Sequence, residues 1–92
     1  MNSRRNERFH TCFVRLPESV KRDAKKAFRL FDENPYHPRL QFKHVHATRP
    51  IYSARVNNDG YRAVGIRAGE DILWYWIGPH DEYERVIQQW PI

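Results

Sequence analysis

The sequence predicts an α+β fold in which a twisted antiparallel sheet of about four strands packs against an N-terminal helix. Two turn sequences, at residues 57–60 and 68–71, separate three short runs rich in β-branched and aromatic residues. That pattern is typical of an antiparallel meander. Apolar residues at helical spacing precede the meander, and a short helix is expected over residues 81–89.

Size and composition limit the possible functions. A chain of 92 residues predicts one domain, residues 1–92, and its net charge of +5 makes nucleic acid, an acidic protein or an anionic membrane surface plausible partners. Cys12 is the only cysteine, so an intrachain disulfide and a four-cysteine metal site are excluded. We expect no metal and no cofactor. With neither a secretory signal nor a long apolar run, the sequence predicts a cytoplasmic protein without membrane contact.

The N-terminal part has two expected elements. Residues 1–8 lack periodicity and are predicted to be a flexible or partner-ordered end. Residues 9–16 alternate between two faces, which predicts a strand that ends at Pro17.

A basic helix should follow. Ser19 is the expected N-cap, and Asn34-Pro35 the expected stop. The buried face would consist of Val20, Ala24, Ala27, Phe28 and Phe31. Lysine and arginine dominate the opposite side, which is either a solvated surface or a binding surface.

The first hairpin places two arginines together. A two-residue loop at Asn58-Asp59 puts Arg55 directly opposite Arg62. Opposed like charges destabilise a sheet, and a pair of guanidinium groups suits a phosphate between them. The alternative is a solvated sheet face on which both arginines pair with Asp59 or other nearby carboxylates.

The second hairpin extends both faces of the sheet. A loop at Gly69-Glu70 would place Trp76 on the face beneath the basic helix and Ile77 beside Arg62. His80, three residues on, then comes within reach of the arginine pair, with the phenol of Tyr83 nearby.

This constellation suits metal-free RNA cleavage. When the 2′-hydroxyl is the nucleophile, a base, an acid and cations that stabilise the phosphorane are sufficient. We assign the proton transfer to His80, the phosphorane charge to Arg55 and Arg62, and base stacking or phosphate orientation to Tyr83. The second proton-transfer group is either His46 or a group of the substrate's surroundings. Further RNA-binding residues are predicted to be Lys43, His46 and Arg67.

Several motifs together carry a family resemblance. A strand, a basic helix and a proline-containing loop precede the segment LQFKHV. Then follow Tyr52-x-x-Arg55, Gly60-Tyr61-Arg62 and Trp76-Ile77-Gly78-x-His80-x-x-Tyr83. The whole arrangement, over residues 9–87, resembles the RelE/ParE superfamily of small bacterial toxins.

The resemblance implies a RelE-like fold, with an N-terminal helix or helical hairpin and a short C-terminal helix. It implies a ribosome-dependent messenger RNA endoribonuclease (mRNA interferase) whose partners are a cognate antitoxin, the ribosome and mRNA. Arg55, Arg62, His80 and Tyr83 match the family's site positions, but Ser53 stands where some ribonucleases of the family carry lysine. That departure keeps two alternatives open, a ParE-like inhibitor of DNA gyrase and a non-catalytic binding module.

Overall fold

The computed structural model describes residues 1–89 as a five-stranded sheet with helices on both faces. The strands are β1 (Asn2–Arg5), β2 (Lys43–His44), β3 (Ile51–Arg55), β4 (Arg62–Ala68) and β5 (Asp71–Gly78). The helices are α1 (Glu7–Val14), α2 (Glu18–Glu33) and α3 (His80–Gln88), with a 3-10 helix at Pro38–Leu40. The strand order is β1-β5-β4-β3-β2, and every pair is antiparallel except β1 with β5. The predicted α+β class is confirmed, with one strand more than expected.

The N-terminal prediction was wrong in both of its parts. Residues 2–5 form an edge strand instead of a flexible end, and residues 7–14 form α1 instead of a strand. The side chain of Asn6 caps α1 by accepting a hydrogen bond from the Phe9 N–H at 2.9 Å. Phe9 and Phe13 are four residues apart, a spacing that puts them on one face of a strand and also on one face of a helix, so a segment this short fits both periods. Strand β1 is exposed throughout and has no apolar pattern to reveal it.

Helix α2 packs against one face of the sheet, as the sequence predicts. It begins one residue before Ser19, with Pro17 in place of a side-chain cap, and ends at Asn34 as expected. The fully buried Trp74 contacts the ring of Phe31 edge-on, with ring centroids 5.3 Å apart. Small residues on β3 and β4, Ala54 and Ala63, lie in the same core cluster and let the helix approach closely.

Helix α3 covers part of the opposite face. Its buried side chains Tyr83, Val86 and Ile87 pack in one cluster with Val64 and Trp76 of the sheet. A short C-terminal helix is therefore confirmed, and it leaves the β2 side of this face open. The last three positions of the predicted domain, 90–92, lie outside the described residues. Within residues 1–89 no helix is long and apolar enough to cross a membrane.

The register of the first hairpin is as predicted, and that of the second changes at a bulge. Arg55 pairs with Arg62, and Gly65 pairs with Trp74. The register then shifts between Val64 and Gly65, so Arg62 pairs with Gly78 instead of Ile77. A Cβ at Gly65 would lie 2.8 Å from the Leu73 carbonyl oxygen, and this close approach favours glycine at the bulge.

The bulge changes which side chains face α3. Trp76, expected under α2, packs instead in the α3 cluster, and Ile77 takes its place in the α2 core. His80 lies only two residues beyond the strand partner of Arg62. The bulge thus brings the start of α3 closer to Arg62 along the chain.

Candidate functional site

Arg62 is the first residue of β4, and part of its guanidinium group has no hydrogen-bond partner among residues 1–89. The guanidinium carbon lies 5.2 Å above the centre of the Tyr83 ring. Its Nη2 donates a hydrogen bond to Gln41 Oε1 at 3.3 Å. Its Nη1 is buried and has no hydrogen-bond partner among residues 1–89. An unpaired buried donor costs roughly 1–3 kcal/mol, so this donor is a feature that the fold alone does not explain.

His80 and Tyr83 stack on one another at the start of α3. Their ring centroids lie 5.6 Å apart with an interplanar angle of 23°. The imidazole is exposed, whereas Tyr83 is only 5% exposed and donates its hydroxyl to Ser53 Oγ at 3.0 Å. Tyr83 therefore provides a fixed aromatic ring beneath His80 and Arg62. Its hydroxyl group already has a hydrogen-bond partner in Ser53.

The turn before β4 allows His80 to lie where it does. Gly60 has φ +89°, and a Cβ at that position would lie 3.3 Å from the His80 Cβ. A side chain there would be strained and would press on the imidazole-bearing residue. Glycine at this position therefore serves both the turn and the placement of His80.

A cleft of about 390 Å³ joins these groups to a second cation, Lys43. Lys43 lies on the edge strand β2, directly opposite Ser53, so the two residues share a sheet face. The cleft is lined by Lys43, His44, Val45, Arg62, His80, Tyr83, Glu84 and Ile87. Glu84 follows His80 by four residues on α3, a spacing that puts both on one helix face.

None of the cations of the cleft forms an ion pair with a carboxylate among residues 1–89, although Glu84 lines the same cleft. The ion pairs formed within residues 1–89 are Lys21–Glu18, Arg67–Glu70 and Arg85–Glu82. None of them involves Lys43, Arg62 or His80. Two permanent positive charges and an imidazole therefore converge on open space, which suits an anion such as phosphate.

Arg55 does not join this site. Although Arg55 pairs with Arg62 in register, its Nε donates to the Arg39 carbonyl oxygen at 3.0 Å. It lines a different hollow, together with Asp23 and Lys26 of α2. Directly opposed like charges repel, and the hydrogen bond to Arg39 holds Arg55 away from Arg62. The expected convergence of the two guanidinium groups is absent, and Lys43 supplies the second cation instead.

Of the three residues predicted to bind RNA, the structure brings only Lys43 to the cleft. His46 lies in the turn after β2, where its Nδ1 accepts hydrogen bonds from the N–H groups of Thr48 and Arg49 at 3.1 and 3.0 Å. Arg67 lines a separate hollow with Tyr52. The hydrogen bond that Arg67 donates to the Tyr36 hydroxyl raises the pKa of Arg67 above its ordinary value.

Three contributors to the site were missed or undervalued from sequence. The side chain of Gln41 accepts a hydrogen bond from Arg62. The backbone of Gln41 is left-handed, with φ 45°, and no sequence pattern indicated this conformation. Ser53 is fully buried and serves as the acceptor for Tyr83. Glu84 could have been found, because its helical spacing from His80 is readable once α3 is predicted.

Comparison with known proteins gives the fold. No protein-family model matches the chain, and no curated protein matches it. Among solved structures, the RelB–RelE antitoxin–toxin complex from Methanococcus jannaschii matches with a TM-score of 0.71 at 14% identity, covering 90% of this chain and 96% of that chain. This chain has the RelE fold. YafQ from Escherichia coli BL21(DE3) matches at TM-score 0.69 and 11% identity, over 89% and 96% of the two chains.

A further structure with the RelE fold is the isolated RelE toxin of E. coli. It matches at TM-score 0.64 and 17% identity, over 95% of each chain. The resemblance found in the sequence motifs is thus confirmed at the level of the fold. At these identities the RelE fold alone does not assign a function, so the activity has to be argued from the side chains of the cleft.

Proposed function

We propose that this protein is the toxin of a type II toxin–antitoxin system and that it cleaves messenger RNA in the ribosome without a metal ion. The observation that carries the proposal is the cleft in which Lys43, Arg62 and His80 converge. Its strongest feature is Arg62, whose side chain lines the cleft and forms no ion pair with a carboxylate in the described part of the chain. A phosphate would give this guanidinium group an anionic partner.

The proposed reaction uses the charges of the cleft. The ribose 2′-oxygen attacks the adjacent phosphorus, the bond from phosphorus to the 5′-oxygen breaks, and the products carry a 2′,3′-cyclic phosphate and a 5′-hydroxyl. Arg62 and Lys43 stabilise the non-bridging oxygens as negative charge accumulates in the phosphorane. The Tyr83 ring holds the Arg62 guanidinium group in place before the substrate binds, so that group needs little reorganisation during the reaction.

Two groups on one face of α3 are suited to the proton transfers. His80 donates a proton to the departing 5′-oxygen, since imidazole is the side chain best able to exchange protons near neutral pH. Glu84 lines the same cleft and accepts the proton of the 2′-hydroxyl. This assignment gives the second proton-transfer role to Glu84 in place of His46, which lies outside the cleft.

The charge of the protein supports the proposed partners. A net charge of +5 favours both the phosphate-rich surroundings of ribosome-bound mRNA and an acidic antitoxin. The antitoxin–toxin complexes among the structures with the RelE fold make an antitoxin the expected protein partner. We propose an acidic segment that orders on binding and covers the cations of the cleft.

Purified protein in a reconstituted translation reaction tests the proposal. We expect mRNA in programmed ribosomes to be cut, leaving a 2′,3′-cyclic phosphate on one fragment and a 5′-hydroxyl on the other. A single 2′-O-methyl substitution at the cut position should abolish that cut, because it removes the nucleophile. Intact mRNA in this assay, together with inhibition of purified DNA gyrase, would contradict cleavage and favour the ParE-like alternative.

A further inference from the structure

The other side of strand β2 carries an aromatic platform, which we define as Tyr36, Phe42, His44, Tyr52 and Arg67. Tyr36 is 63% exposed, the largest exposed fraction among the large hydrophobic side chains of residues 1–89. Beside it lies a hollow of about 490 Å³ whose walls include His44, Tyr52 and Arg67. The cleft described above lies on the opposite sheet face, so the platform is a separate surface.

Contacts hold the platform rigid. The Arg67 guanidinium carbon lies 5.3 Å from the centre of the Tyr52 ring and 5.9 Å from that of Phe42. Its Nη2 donates to the Tyr36 hydroxyl at 3.2 Å, which anchors the exposed tyrosine. His44 stacks on Tyr52 with ring centroids 5.1 Å apart at 27°. An exposed aromatic ring held in one position is the kind of residue that dominates binding energy at interfaces.

The platform and the cleft are neighbours around one edge of the sheet. Lys43 and His44 are consecutive residues of β2, so their side chains point to opposite faces. His44 lines both the cleft and the hollow beside the platform. Strand β2 is the outermost strand on its side of the sheet, so a chain can pass over it from one hollow to the other.

The chemistry of the platform favours a nucleobase. Exposed aromatic rings and a planar guanidinium group offer flat faces for stacking, and every base has such a face. Arg67 adds positive charge at the edge of the hollow, where Glu70, paired with Arg67 at 3.7 Å, is the carboxylate that lines it. Single-stranded RNA presents a flat face at each unpaired base, so a surface of aromatic faces suits it.

We infer that the aromatic platform is a second RNA subsite, on which a base of the same RNA strand stacks after the strand passes over β2 from the cleft. This inference rests on the proposed function for the identity of the strand. In this subsite Arg67 contributes to RNA binding at a distance from the scissile phosphate. The subsite takes an unpaired base and does not touch the reacting atoms.

A fluorescent base gives a direct test. A short 2′-O-methyl oligouridylate carrying one 2-aminopurine at successive positions is titrated with the full-length protein, and the fluorescence of each probe is measured. Stacking on an aromatic ring quenches 2-aminopurine, so we expect quenching concentrated at one position in the wild type. Tyr36→Ala should abolish that quenching and weaken binding about tenfold, since it removes the ring on which one base stacks.

Two control variants make the outcome specific. Tyr36→Phe keeps the ring and should retain the quenching, whereas Arg62→Ala should weaken binding through the cleft but retain the quenching at saturating protein. Quenching that survives Tyr36→Ala, or affinity for the oligonucleotide equal to that of the wild type, would overturn the inference. If mRNA is never cut but the quenching pattern holds, the proposed nuclease activity fails and the subsite stands.

Discussion

Arg55 and Arg62 face each other across strands β3 and β4, but their guanidinium groups line different hollows. One reaches the carbonyl oxygen of Arg39, and the other lies over the Tyr83 ring with an unused donor. The two residues have the same chemistry and are strand partners in the sheet. They therefore form a matched pair in which one member belongs to the proposed site and the other does not.

His80 should be needed for protonation of the leaving group. Because its side chain is exposed, His80→Ala should fold normally and should cut mRNA about 10²- to 10⁴-fold more slowly, the range typical of a lost general acid. Single-turnover cleavage in programmed ribosomes measures this loss.

A substrate with sulfur in place of the 5′-oxygen separates proton donation from other roles of His80. A thiolate leaves without protonation, so this substrate should restore most of the rate to His80→Ala. It should not restore the rate to a variant that lacks a cation of the cleft, such as Lys43→Ala. Equal slowing of His80→Ala on both substrates would show that the imidazole does not act as the acid.

The buried hydrogen bond from Tyr83 to Ser53 should stabilise the fold and contribute little to the reaction. Ser53→Ala leaves the Tyr83 hydroxyl buried without its acceptor, so the free energy of unfolding should fall by about 1–3 kcal/mol. Urea denaturation measures this change. The cleavage rate should stay close to that of the wild type, because the ring still supports Arg62 and His80. A large loss of rate in a folded Ser53→Ala protein would give the hydroxyl pair a role in the reaction.

Tyr75 carries a buried hydroxyl without a partner among residues 1–89, so removing that oxygen should stabilise the protein. Tyr75→Phe keeps the ring and eliminates an unpaired polar atom, and we expect a gain of about 1 kcal/mol in the free energy of unfolding. Urea titrations of the two proteins near neutral pH give this difference. A destabilised variant would indicate that the hydroxyl has a partner, such as an ordered water.

Tyr75 should also make stability depend on alkaline pH. Burial raises the pKa of its phenol to about 12, above the value of about 10 in an unfolded chain. The native state therefore binds this proton more tightly, and the resulting stabilisation is complete below about pH 10 and is lost as the pH rises towards 12. The stability of the wild type should accordingly fall relative to Tyr75→Phe over that range. Parallel pH profiles for the two proteins would contradict this.

The sequence predicted the sheet well where turns fix the register. The turn at residues 57–60 predicted the pairing of Arg55 with Arg62. The turn at residues 68–71 predicted the first pairs of the β4–β5 ladder. The bulge at Gly65 was not predicted, although a glycine inside a strand is a known mark of a bulge. As a result the side chains of Trp76 and Ile77 were assigned to the wrong faces.

The site was predictable in its residue types more than in its geometry. The Gly60-Tyr61-Arg62 and Gly-x-His motifs indicated Arg62 and His80 as site residues, and both line the cleft. Backbone pairing does not determine where a long side chain ends, so the divergence of Arg55 could not be read from register. The contact with Gln41 depends on a loop conformation that the sequence did not indicate.

The rate of mRNA cleavage by Arg62→Ala, measured beside Arg55→Ala in the same single-turnover ribosome assay, tests the proposed site most directly. Removing a cation that stabilises developing charge costs about 10²- to 10³-fold, so Arg62→Ala should lose that much. Arg55→Ala should cut at nearly the wild-type rate. Equal losses in the two folded variants, or a greater loss in Arg55→Ala, would contradict the assignment of the cleft as the active site.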